Sequence, residues 1–104
     1  MKGGMNSIVR QAQKMQSQIT KIQEDIGTKK VEASTGGGMV TAVVNGNSEL
    51  VSLKINPEVV DPDDVEILEE MVAGAVRQAM ETASEMMNTE IEKVTGGLNI
   101  PGLM

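Results

Sequence analysis

The sequence predicts an α+β fold of order α-β-β-β-α, with a three-stranded antiparallel sheet between two helices. Three observations carry that expectation. Apolar residues recur at alternating spacings of three and four near the start, short β-branched runs punctuated by Gly and Asn fill the middle, and a long amphipathic stretch follows an acidic Asp-Pro cluster.

The first helix rests on Met5, Ile8, Ala12, Met15, Ile19, Ile22 and Ile26, the a and d positions of three successive heptads. The flanking e and g positions, Val9, Gln11, Gln16, Gln18, Gln23 and Asp25, are mostly uncharged and polar. Gly27 is placed to stop the helix. So narrow an apolar seam on so long a helix needs a partner helix.

Residues 29–34 alternate weakly and read as an edge strand, broken by Thr35 and the glycines Gly36, Gly37 and Gly38. Residues 39–44 are β-branched and run into Asn45, Gly46 and Asn47, a hairpin signal. Residues 50–55 follow, with Val51, Leu53 and Ile55 expected on one face and Leu50, Ser52 and Lys54 on the other. The three strands read as a meander with one face covered.

Asn56 and Pro57 end the third strand. Asp61 then reads as a helix N-cap, with Pro62 at the first helical position and Asp63 and Asp64 complementing the helix dipole. The second helix is expected to run to about Thr95, with Val65, Leu68, Val72, Val76, Ala79, Ala83, Met87, Ile91 and Val94 on its apolar face. Ala73, Gly74 and Ala75 permit close approach of another element. Gly96 and Gly97 cap the end, and residues 98–104 form a short apolar tail. Nothing divides the chain, so residues 1–104 are expected to form a single domain.

Composition narrows the function. There is no Phe, Trp or Tyr among 104 residues, and nine Met stand in part for them. A chain this short without aromatic side chains recovers limited burial energy against its ordering entropy. Sharing a core with a second copy is the expected remedy, so a homodimer is predicted. Cysteine and histidine are both absent, which removes disulfides, thiolate and imidazole metal ligands and the commonest general base. No run approaches the roughly 20 apolar residues that span a bilayer, and the polar start does not resemble a signal peptide, so the expectation is a cytoplasmic protein without a membrane partner.

Candidate sites are few. The triple glycine precedes a strand, not a helix N-terminus, and no Gly-Lys-Ser/Thr follows, so it reads as a bend and not a phosphate loop. Asp61, Asp63, Asp64 and Glu66 lack the glycine and terminal glutamate of a calcium loop, and helix capping accounts for them. No nucleophile has a base to activate it, so the expectation is a non-enzymatic protein without a cofactor.

The charge is unevenly placed. The formal net charge is −6, yet residues 1–23 hold Lys2, Arg10, Lys14 and Lys21 and no acid, while residues 24–104 hold all fifteen acids against five bases. On the first helix Arg10 takes an f position and Lys14 and Lys21 take c positions, the side away from the seam. Lys29 and Lys30 follow as weaker candidates. Such a surface suits phosphates, with affinity that falls with salt and little reading of base sequence.

Several segments together resemble the YbaB/EbfC family of nucleoid-associated proteins. They are Gln11 to Gln16 (QAQKMQ) in the first helix, then Gly36, Gly37, Gly38, Met39 and Val40, then Asn45 and Gly46. After them come Ile55, Asn56, Pro57 and Glu58, then Val60, Asp61, Pro62, Asp63 and Asp64, then Thr95, Gly96, Gly97 and Leu98, with Pro101 and Gly102 last. The resemblance covers nearly the whole chain, in order. It implies a tight dimer joined through the sheets with long helices projecting like tweezers, double-stranded DNA as partner, a place on the nucleoid and effects on gene expression, with no cofactor and no catalytic residue. The basic positions Lys2, Arg10, Lys14, Lys21, Lys29 and Lys30 are the DNA-contacting candidates from the residues themselves. The rival reading is a protein-interaction module that docks a component of DNA metabolism through its heptad seam and Met-rich surface, with little direct affinity for DNA.

Overall fold

A computed structural model describes the backbone of residues 2–96 and the side chains of residues 5–96. Its elements are α1 (Lys2–Gly27), β1 (Lys30–Thr35), β2 (Val40–Asn45), β3 (Leu50–Ile55), a 3-10 turn (Pro57–Val59) and α2 (Val65–Thr95). The α-β-β-β-α order and the antiparallel sheet, ordered β1-β2-β3, match the sequence expectation. The tail, residues 98–104, and the expected cap at Gly97 lie outside the described residues.

Burial is concentrated under one stretch of α2. Val40, Ala42 and Val44 of β2 and Ala75, Ala79 and Ala83 of α2 are all fully buried against one another. Their spacings follow the two backbone periods, two along the strand and four along the helix. The fully buried residues of the helix are all alanines, which lets its backbone lie close on the sheet, while Leu68, Met71, Val72 and Val76 pack around them partly buried. A hydrogen bond fastens one end, where Thr35 Oγ1 donates to the Met71 carbonyl at 2.7 Å. Gly74 contributes to the same closeness, since a Cβ there would lie 3.4 Å from the Thr35 methyl.

In the register, Val31, Ala33 and Thr35 of β1 stand opposite Val44, Ala42 and Val40 and share the helix-facing side. On β3, Ile55 and Leu53 stand opposite Val40 and Ala42, but an irregularity between Val43 and Val44 then brings Leu50, not Val51, opposite Val44. The expected face assignment of β3 is therefore corrected: a bulge leaves Val51 over and moves Leu50 to the helix side. A second correction concerns coverage. α2 lies over β1 and β2, and five of the six β3 residues remain exposed.

Two turns explain the glycines. Gly36, Gly37 and Gly38 all have positive φ, so the β1–β2 link is a left-handed turn open only to residues without a Cβ penalty. Gly46 has another reason. A Cβ there would land on the Ile26 carbonyl, so glycine is needed because the end of α1 abuts the β2–β3 hairpin. Gly27 faces the same contact from the other side, against Asn47. The hairpin itself is closed by Asn45, whose Oδ1 accepts from the amides of Asn47 and Glu49 at 3.0 Å each, while Ser48 takes the positive φ.

The start of α2 departs from the sequence reading. Asp64, not Asp61, is the N-cap, and it makes no side-chain capping bond. Asp61 organises a separate turn, its Oδ1 accepting from the Asp63 amide at 2.9 Å and its carbonyl accepting from Asp64 at 3.0 Å. Pro62 sits inside that turn, where its fixed φ serves as well as it would at a helix start. Val65, expected on the apolar face, is 48% exposed in the first turn.

Candidate nucleic-acid interface

The basic candidates are positioned by the geometry of α1. Gln23 lies beside Ser84, Met87 and Asn88, and exposure along the seam rises from Ile26 (5%) through half-buried Ile22, Ile19 and Met15 to Ile8 (69%) and Met5 (74%). The helix thus runs antiparallel to the last third of α2 and continues past it. The lengths agree: α2 has 31 residues, about 46 Å of helix, whereas the molecule extends 73 Å. The first half of α1 is an overhanging arm.

Arg10, Lys14 and Lys21 are all exposed on this helix. At 100° per residue they fall within about 40° of one another, on the side opposite the seam, and span about 16 Å along the axis. Among the described residues the ion pair is Lys93 Nζ to Glu90 Oε1 at 2.9 Å, so none of the three arm cations is held by a carboxylate. Their charges face water undivided, which is what a polyanion needs.

Lys29 and Lys30 are placed differently. Lys30 belongs to β1 and shares a cleft with Glu24 and Glu49 at the base of α1. Lys29 lies near enough to Glu90 to help lower its pKa, after the stronger effect of the hydrogen bond from Lys93. The side chain of Lys2 lies outside the described residues. The structure therefore brings Arg10, Lys14 and Lys21 together and sets Lys29 and Lys30 apart among acids.

One surface escapes an element-by-element reading of the sequence. Along the flank of α2 that faces β3, Ala73, Val76 and Met80 line an open apolar groove, rimmed by Arg77 and Glu81 and reaching Ser48 of the hairpin. Leu50, Val51 and Leu53 of β3 are also exposed, on a strand whose outer edge has no neighbour among the described residues. A sequence signal for it exists: Val76 and Met80 are four apart on a flank distinct from the Ala75, Ala79 and Ala83 stripe. The acids of α2 occupy the remaining surface, with Glu66, Glu69, Glu70, Glu81, Glu85 and Glu92 exposed. No described helix is long and apolar enough to cross a membrane.

Known proteins with this sequence pattern agree with the fold and extend it. A family model described as the YbaB/EbfC DNA-binding family matches residues 1–98. A nucleoid-associated protein of Thermoanaerobacter pseudethanolicus is 59% identical over 99 residues, covering 95% of this chain and 89% of that protein. Another, from Acetivibrio thermocellus, is 51% identical over 102 residues, covering 97% of this chain and 90% of its own length. Among solved structures, an uncharacterized Helicobacter pylori protein superposes with a TM-score of 0.65 at 23% identity, covering 75% of this chain and 90% of that one, a likeness of fold. With nearly its whole length matched by the family pattern and by relatives above half identity, the chain belongs to the YbaB/EbfC DNA-binding family.

Proposed function

We infer that residues 1–104 act as one domain that grips double-stranded DNA as a homodimer on the nucleoid, through phosphates and without reading base sequence closely. The observation that carries this reading is the uncompensated stripe of Arg10, Lys14 and Lys21 on the overhanging arm of α1. Lys2 extends the stripe in sequence, and Lys29 and Lys30 contribute less because acids stand beside them. By coating and organising DNA such a protein influences gene expression without catalysis or a cofactor.

The dimer follows from the thinness of the core. Its largest fully buried side chains are Val40 and Val44, each worth about 1.5–3 kcal/mol of burial. A second copy placed over the groove at Val76 and Met80 and along the β3 edge would cover Leu50 and Leu53 and supply the missing apolar area. It would also duplicate the cationic arm.

Anisotropy titration of a random-sequence duplex across salt tests the reading. Three neutralised phosphates per copy, hence about six per dimer, predict a log–log salt slope of about −5. Arg10→Glu combined with Lys14→Glu should weaken binding and flatten that slope by roughly one unit for each phosphate left unneutralised. Affinity and slope that stay unchanged would remove the arm from the interface. Sedimentation of the same samples checks the dimer, which Met80→Asp should split. Capture of a DNA-metabolism protein from nuclease-treated lysate, with no salt-dependent DNA binding by the purified protein, would instead favour the interaction-module reading.

A further inference from the structure

Asn45 stands alone among the asparagines of the sequence in being followed by glycine, and the β2–β3 hairpin surrounds its side-chain amide with groups that bear on its chemistry. Its Oδ1 accepts from the backbone amides of Asn47 and Glu49 at 3.0 Å each. Two donors on one carbonyl oxygen draw electrons from Cγ and stabilise the negative charge that reaches the oxygen when a nucleophile adds. The nucleophile next along the chain is the Gly46 nitrogen, which has no Cβ beside it to obstruct an approach to Cγ. That nitrogen is restrained. Its N–H donates to the Lys29 carbonyl at 2.9 Å, and the Lys29 amide in turn donates to the Ile26 carbonyl at 3.0 Å. Gly46 is buried, and the Ile26 carbonyl occupies the place of its missing Cβ.

We propose that Asn45 is a self-modification site, held closed by the seat of α1 on Gly46 and converted to aspartate or isoaspartate when that seat lifts. The Gly46 nitrogen, on losing its proton, adds to Asn45 Cγ and closes a succinimide ring. The Cγ–Nδ2 bond breaks, and Nδ2 leaves as ammonia with that proton. Water then opens one of the imide carbonyls, leaving aspartate or, with the backbone rerouted through the side chain, isoaspartate. Nothing is oxidised or reduced. While α1 is seated, the Lys29 carbonyl engages the Gly46 N–H and the Ile26 carbonyl fixes the glycine, so the attacking nitrogen is not free to turn toward Cγ.

The product does not restore the seat. Asn45 Nδ2 donates to Glu49 Oε1 at 3.1 Å, whereas a carboxylate in its place has no proton to give and repels that oxygen. The cleft at the base of α1, which Asn45 shares with Glu24, Lys30 and Glu49, gains a further acid. A transient lifting of α1 is thereby recorded as a lasting one, and the base from which the cationic arm projects is loosened.

Ageing of the full-length protein at fixed pH and temperature, followed by peptide mass mapping and enzymatic methylation of isoaspartate, tests this. Wild type should convert Asn45 more slowly than the same chain unfolded in urea. Ile26→Ala loosens the seat and should convert Asn45 about tenfold faster than wild type, with the Gly46 amide exchanging faster by a similar factor. Asn6 and Asn88, both exposed, should be unchanged. If Ile26→Ala unfolds the chain, Gly27→Ala is the milder lift, since its methyl meets only the Asn47 side chain, and a rise of about threefold is expected. Wild type converting at the unfolded rate would overturn the proposal. So would an Asn45 that stays intact when the Gly46 amide is freed, or conversion that rises equally at Asn6 and Asn88.

Discussion

The middle of α2 and the far end of α1 carry the same kind of apolar repeat and meet opposite fates. Ala75, Ala79 and Ala83 are sealed against β2, whereas Met5 and Ile8 stand in water on the seam. Side-chain size separates the two regions. Alanine at every fourth position lets a helix backbone settle on a sheet, so a short stretch buries completely with little apolar volume. The long side chains of the α1 seam keep their partner at a distance and need a second helix along their whole length, which α2 supplies for only part of it. Charge separates them again: the buried region has no buried polar or charged side chain, and the arm has cations without carboxylate partners. One end of the molecule is built to cohere and the other to be met.

The joint between these regions offers the most severe test. Gly46→Ala drives a methyl into the Ile26 carbonyl and must push α1 off the hairpin; a loss of about 3 kcal/mol in urea unfolding is expected. A stability near wild type would mean that α1 meets the body elsewhere. Next, Val44→Ala empties part of the sealed layer, and a loss of about 2 kcal/mol is expected. The arm should respond in the opposite sense, since Arg10→Glu with Lys14→Glu should change unfolding by no more than about 0.5 kcal/mol while weakening DNA binding. If that pair of changes unfolded the protein, the division into a cohesive end and a contacting end would be wrong.

The smallest expected effect lies at the surface pair Glu90 and Lys93. The hydrogen bond from Lys93 holds the Glu90 carboxyl below the usual carboxylate value, against the opposing effect of desolvation and with lesser help from the charges of Lys93 and Lys29. A carboxyl with a depressed folded pKa adds stability above its ordinary value and loses it as pH falls through the lowered one. Glu90→Gln should therefore leave the thermal midpoint almost unmoved at pH 7, and any difference from wild type should disappear on acidification. A large shift at neutral pH would show that the pair contributes more than an exposed ion pair ordinarily does.

How far the site is legible in the sequence differs from residue to residue. Arg10, Lys14 and Lys21 can be assigned to one side of a helix from spacing alone, because helical geometry converts sequence separation into angle. The place of Lys30 beside Glu24 and Glu49 cannot, since those acids reach it only when the hairpin folds against the base of α1. The α2 cap lies three residues beyond its expected position because Asp61 and Asp64 each precede residues able to follow a cap. The Asp61 turn and the helix compete for the same stretch of chain.

From the chain alone come the order of elements, the stop at Gly27, the hairpin at Asn45 and Gly46, the reach of α2 to Thr95 and the basic side of α1. These depend on local backbone preference and on periodicity, which act over a few residues. The face of β3, the extent of the sheet that α2 covers, the overhang of α1 and the groove beside Met80 were decided only by packing. Each depends on where an element distant in sequence comes to rest. A single extra residue in one strand, or a helix set nearer by the size of alanine, reassigns which side chains meet water.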